Sequence, residues 1–233
     1  MPLAQVNNEG FLLEGRTMVS NSLTDPEILE QLKVYGYDEA RINAGLTLLE
    51  ETEALILKQK KEYGEQYQAT LDVEKAKEAA DSAYMKTLKI ARLVFQKNAK
   101  AATMLMLLGE RARSLQGWLE QAQTFYKSLI ADSSLVAEMG KFNYTVDKLN
   151  EENALVSEVS KKIQAQRKET GEAQQATQDR DAKVKELDKW LSDFRAIIKI
   201  ALDETPQRME KLGIQVLNAP RAKKAAVTAT AKS

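Results

Sequence analysis

The chain has no cysteine and no histidine among its 233 residues. Without cysteine there is no disulfide frame, no thiol nucleophile and no thiolate metal site. Without histidine the commonest general base and the commonest transition-metal ligand are both missing. Proline occurs four times and glycine ten times, too rarely for a turn-rich fold. No apolar run approaches the ~20 residues of a membrane-spanning helix; Met104–Leu108 and Ile197–Leu202 are both far shorter. The opening MPLAQVNNEGFLLEGR lacks the basic and long apolar regions of a secretory signal. These absences point to a soluble, cytoplasmic chain with no cofactor and no metal.

What is present favours helix. Ala, Glu, Lys, Leu and Gln dominate, the usage of long helices and coiled coils. Apolar residues make up 43% and charged residues 29%, enough for a core but with unusually much charge for a compact globule. Net charge is zero, unevenly spread. Arg221, Lys223, Lys224 and Lys232 fall in the last fifteen residues with no acid among them. The rest of the chain carries the balancing negative charge.

The sequence repeats itself. KEYGEQYQAT at Lys61–Thr70 returns as KETGEAQQAT at Lys168–Thr177, an offset of 107 residues. From Asp25/Asp132 to Asp81/Asp188 the offset holds without a gap, and 16 of 57 positions are identical. Chance gives about 3 or 4 at roughly 6% per position. A tandem duplication is therefore expected, with a flexible stretch at 1–10, one copy at 11–109, a second at 117–216, and a disordered Ala/Lys-rich tail at 217–233.

Each copy reads as short helix, short helix, long helix, short helix. In copy one the first covers Phe11–Asn21. In copy two it covers Trp118–Ile130, with a stripe at Leu119, Ala122, Phe125, Tyr126 and Leu129. Asp25 and Asp132 are N-cap candidates, the former followed by Pro26. Gly36 and Asn143 stand at the next helix ends, both tolerant of a left-handed backbone. Asp38 and Thr145 should open the two long helices, Asp38–Lys97 and Thr145–Glu204. Asn98 and Thr205 should cap the last short helices, Pro206 being the first helical residue of the second, with Gly109 and Gly213 ending them.

A heptad seam runs through Ile42, Leu49, Ile56, Tyr63, Tyr67, Tyr84, Leu88 and Phe95, apolar at its ends and polar in the middle. The long helices are expected to pair antiparallel, related by a pseudo-twofold axis. That gives an elongated all-α coiled-coil bundle with short helices packed at both ends. One core gathers Phe11–Leu57 with Trp190–Leu202 and Pro206–Leu212; the other gathers Tyr84–Leu108, Trp118–Asn143 and Leu149–Ile163. The core residues singled out are Leu88, Phe95, Trp118, Phe125, Trp190 and Phe194. At the waist, Gly64 and Gly171 should let the backbones approach. Lys61, Glu62 and Glu65 should pair there with Lys168, Glu169 and Glu172 of the other helix. The competing reading makes Gly64 and Gly171 turns that break each long helix into a hairpin.

Chemistry is weakly signalled. Glu50, Glu51 and Glu53, then Glu151 with Glu152, Glu78 with Asp81, and Asp179 with Asp181 are paired acids, and all read as solvated faces. Di-iron bundles need Glu-x-x-His, which this chain cannot supply. Arg111 and Arg113 beside Lys97 and Lys100 suggest an anion site, weighed against ordinary surface charge. The aromatic residues fall at core spacing. In shape, paired helices of ~90 Å resemble stalk, scaffold and filament proteins, and the α-helical pore-forming toxins. The expectation is a non-enzymatic structural or scaffolding protein that binds proteins or copies of itself. No small-molecule substrate is expected, and neither nucleic acid nor membrane is expected as a partner. The alternatives are a membrane-acting protein releasing Met104–Leu108 or Ile197–Leu202, and a nucleic-acid-associated protein using the basic tail.

Overall fold

A computed structural model of the chain describes residues 8–216. The expectations for residues 1–7 and for the tail at 217–233 lie outside them. The described residues are all-α: α1 Asn8–Thr24, α2 Pro26–Lys33, α3 Glu39–Val94, α4 Ala99–Met104, α5 Leu115–Ala131, α6 Ser133–Gly140, α7 Val146–Ala201 and α8 Gln207–Lys211. α1 begins inside the stretch expected to be flexible to Gly10. The four helices α1–α4 recur as α5–α8. Every boundary is displaced by 107 residues, save that α8 starts one residue late.

Local chemistry explains the boundaries. The Asp25 carboxylate accepts from the amides of Glu27 and Ile28 at 3.1 and 3.3 Å. Asp132 does the same for Ser134 and Leu135 at 2.9 and 3.3 Å. These side chains satisfy amides that a helix N-terminus leaves without partners. Asp38 caps α3 through the Arg41 amide at 2.9 Å, and Asn98 caps α4 through Ala101 at 3.1 Å. Thr145 reaches the Lys148 amide at 3.4 Å. Thr205 does not cap: its hydroxyl is buried without a partner, and α8 starts after Pro206 instead.

Four short helices end alike. The amides of Tyr37, Leu107, Tyr144 and Ile214 donate back to Leu32, Ala102, Met139 and Met209, five residues earlier. The residue before each is left-handed: Gly36, Met106, Asn143 and Gly213. This is the Schellman closure. Gly109 was expected to end α4, and that is corrected. Its φ is +80°, but it lies in the loop beyond, and Met106 at φ +50° takes the capping place.

α3 and α7 are each continuous for 56 residues. Gly64 and Gly171 are helical within them, and neither has positive φ. The hairpin alternative is therefore excluded.

The chain divides into two compact units. Unit 1 comprises residues 1–57 and 178–233, and unit 2 comprises 58–177. In unit 1, α1, α2 and the start of α3 pack against the end of α7 and α8. Met18, Ile28, Leu32 and Leu49 meet Leu191, Phe194 and Ile198 in the core. The two long segments run antiparallel, since Gly45 faces Trp190 while Glu51 meets Lys183. A Cβ at Gly45 would lie 2.1 Å from the indole, so glycine is what lets Trp190 lie flat on α3. Tyr37 then stacks on Phe194 with centroids 5.1 Å apart.

Unit 2 has the matching construction. Tyr84, Leu88 and Phe95 at the end of α3 pack with Trp118, Phe125 and Tyr126 of α5 and with Leu149 and Val156 of α7. Leu88, Phe95, Trp118, Phe125 and Phe194 are buried as expected, and Trp190 is half-buried. No helix among the described residues is long and apolar enough to cross a membrane.

Candidate functional site

The repeated decapeptide was the expected site, and it falls in unit 2, where the middle of α3 lies beside α7. The expected seam through Tyr63 and Tyr67 is corrected by one residue. Tyr67 is 67% exposed, while Glu62, Gln66 and Ala69 are half-buried and Val73 is buried. Small apolar side chains at Ala69, Val73 and Ala80 allow close packing. Tyrosine in their place would be too bulky and would bury a hydroxyl.

The two glycines are not a contact. A Cβ added at Gly64 or Gly171 meets nothing within 4 Å. The expected ion pairs between helices are also replaced. Lys61 pairs with Glu65 at 3.2 Å along its own helix. Lys168 pairs with Glu172 at 3.0 Å and Glu169 at 3.6 Å along its own. Residues four apart on one helix meet without any adjustment of the other helix. These pairs raise both lysine pKa values, chiefly through the hydrogen bonds that the ammonium groups donate to Glu65 and Glu172. Near the decapeptide, α3 and α7 are joined by Lys162 to Asp72 at 3.1 Å and Gln166 to Thr70 at 3.0 Å.

An open groove of about 570 Å³ runs along this stretch, floored by Ala69 and Ala165. Glu62, Glu65 and Glu169 each bring a carboxylate oxygen within 4.8 Å of the others. Three such oxygens are the donor set of a hard cation. Here they stand beside Lys61 and Lys168, whose ammonium groups already offset the charge.

A second cluster was not read from the sequence. The hydroxyl of Thr87 donates to Glu152 Oε2 at 2.5 Å, and that of Tyr126 donates to the same oxygen at 2.9 Å. Thr87 and Tyr126 are fully buried, and Glu152 is half-buried. Burial, and then the negative charge of Glu152, push the Tyr126 phenol well above its usual range. A phenol held neutral beside a carboxylate donates a hydrogen bond but does not give up its proton at ordinary pH. Among the paired acids, Glu152 is thus no simple solvated face. Neither is Asp81, which accepts from the Trp118 indole at 2.5 Å. Glu51 is exposed and Glu53 half-buried, and they pair across helices with Lys183 and Arg16.

The arginines of the α4–α5 loop also have definite partners. Arg111 donates to the carbonyls of Met106 and Leu108 at 2.6 and 3.2 Å and to Tyr84 Oη at 3.0 Å. Arg92 donates to the Leu107 carbonyl at 2.8 Å and to Gly109 at 3.4 Å. Arg111 therefore holds the loop through its two terminal nitrogens, while its Nε is buried without a partner. Nothing in the sequence spacing signals either contact, because both join segments far apart in the helix pattern. No protein-family model, no curated protein and no solved structure matches the chain, so the side chains themselves are the ground for any functional reading.

Proposed function

We infer that this is a non-enzymatic structural or scaffolding protein of the cytoplasm, which acts by binding other proteins or further copies of itself. The observation that supports this is a matched pair of exposed apolar sites. Tyr35 follows α2 and Phe142 follows α6, at the same place in the repeat, and both side chains are exposed. Leu93 and Ile200 match in the same way near the ends of α3 and α7. Exposed aromatic residues that core packing does not require are the usual anchors of protein interfaces. Two equivalent anchors give a chain two similar binding ends, as a scaffold needs. The recurrence of helix boundaries at one offset supports an origin by tandem duplication.

Sedimentation velocity of the full chain over a range of concentrations, with capture of host proteins on the immobilised chain, tests the reading. Tyr35→Lys and Phe142→Lys should each reduce self-association or capture, and together they should abolish it. A chain that stays monomeric and retains no protein, or one whose associations ignore both substitutions, overturns it.

A further inference from the structure

We propose that the end of unit 2 formed by the last turns of α3 and by the α4–α5 loop docks on an anionic lipid surface. The inference does not depend on the scaffolding reading.

Residues 82–109 contain five basic residues and no acid, and the rest of the loop, 110–114, adds Arg111 and Arg113 against the single acid Glu110. The matching residues 189–216 also contain five basic residues, but with four acids. The same local fold is thus built with balanced charge in one copy and with cations alone in the other, so folding does not demand the excess. Lys86, Lys89, Lys97, Lys100 and Arg113 are all exposed, while Arg92 is spent on the loop carbonyls. None of them forms a salt bridge with a carboxylate among the described residues; the charge of Lys100 helps to lower the pKa of Asp132.

The second observation is apolar. Met104, Met106 and Leu108 project from the loop, Leu108 being 75% exposed, while Leu105 and Leu107 between them are buried. Leu93 is exposed one helical turn beyond Lys89 and two beyond Lys86 on α3. The third observation is backbone. Met106 holds φ +50° where its repeat counterpart is Gly213 at +74°. A left-handed conformation costs methionine more than glycine, so the side chain is kept against local preference.

The geometry selects the kind of partner. The projecting side chains alternate along an irregular segment, so they do not form the i, i+3, i+4 stripe that a groove-binding helix offers. Strand addition needs free backbone acceptors, and the carbonyls of residues 106–109 are all taken by Arg92 and Arg111. What remains is a pinned loop presenting separate apolar side chains among unpaired cations. A bilayer interface needs no more than that: shallow apolar insertion together with attraction to anionic headgroups.

Co-sedimentation of the full chain with vesicles tests this. The chain should bind phosphatidylcholine–phosphatidylserine vesicles at low salt and lose much of that binding as salt rises. It should not bind phosphatidylcholine alone. Leu108→Ser should weaken binding about tenfold, the order expected for one buried leucine. Met106→Gly should weaken binding while leaving the fold as stable or more so. Lys97→Glu should weaken it, and Leu13→Ser, at an exposed position of unit 1, should not. No binding to the mixed vesicles overturns the proposal. So does binding that ignores Leu108→Ser, Met106→Gly and Lys97→Glu, and so does capture of soluble polyglutamate in place of vesicles.

Discussion

Glu152 and Gly45 occupy the same place in the two repeats and solve opposite packing problems. At Gly45 the missing side chain makes room for Trp190. At Glu152 a carboxylate fills the corresponding space and gathers the hydroxyls of Thr87 and Tyr126. Thr87 in turn stands where the other copy has Phe194. At these matching positions one core is closed by aromatic contact and the other by hydrogen bonds.

Replacing Glu152 tests the second closure. Glu152→Ala leaves the buried Tyr126 hydroxyl without its acceptor, while Thr87 keeps the Ala83 carbonyl at 3.2 Å, and should cost about 1–3 kcal/mol of stability. Glu152→Gln keeps an acceptor oxygen and should cost less. Urea denaturation of both variants checks the order; equal losses would mean that the acceptor is not what matters.

The first closure is sensitive to one methyl group. Gly45→Ala drives a Cβ into the Trp190 ring, which Phe194 and Tyr37 already hold. Overpacking of this kind costs about 1–3 kcal/mol. Tryptophan fluorescence during unfolding should show an earlier midpoint. An unchanged midpoint would show that the ring is free to move aside.

Gly64→Ala and Gly171→Ala should go the other way. Both sites are helical and open, so alanine adds helix propensity without a clash. Each should stabilise by about 0.5–1 kcal/mol. A loss of stability in either variant would contradict the open space around these glycines.

Acid should weaken the molecule through its capping aspartates. Asp25 is held below its usual pKa by the hydrogen bond from Lys211 and then by the helix amides. Asp132 is lowered chiefly by Ser134, and Asp72 by Gln68 and then Lys162. A group with a depressed pKa in the folded state stabilises fully above its unfolded value, about 3.9 for aspartate. That stabilisation is lost as pH falls from there through the lowered folded value. Denaturant titrations at falling pH should show the loss, and Asp25→Asn should make it shallower. An unchanged slope would assign acid sensitivity elsewhere.

The legible parts of the fold were those fixed by short-range chemistry. Asp25, Asp132, Gly36 and Asn143 announce helix ends because few residue types satisfy a cap or a left-handed turn. The two cores were legible because large apolar residues cluster at the helix ends. The middle of α3 was less so. Tyr63 and Tyr67 look apolar in a heptad count, yet the phase is set by Ala69 and Val73, which are too small to stand out. Gly109 drew attention as a cap because glycine is the usual choice, and methionine at Met106 gives no warning of positive φ. The Glu152 cluster and the contacts of Arg92 with Leu107 and of Arg111 with Tyr84 join residues 15 to 65 positions apart, and neither periodicity nor motif reports such pairings.

The division of the chain has a consequence for its birth on the ribosome. Unit 2 is one unbroken stretch, whereas unit 1 is assembled from both ends of the chain. Unit 2 can begin to form while the rest is still being made. Met18, Ile28 and Leu49 must wait for Phe194 and Ile198 to emerge, well over a hundred residues later. At ordinary translation speeds of roughly 5–20 residues per second that delay is on the order of ten seconds. During it the N-terminal helices carry an unmatched apolar face, and the nascent chain is then a natural client for a chaperone that shields such surfaces.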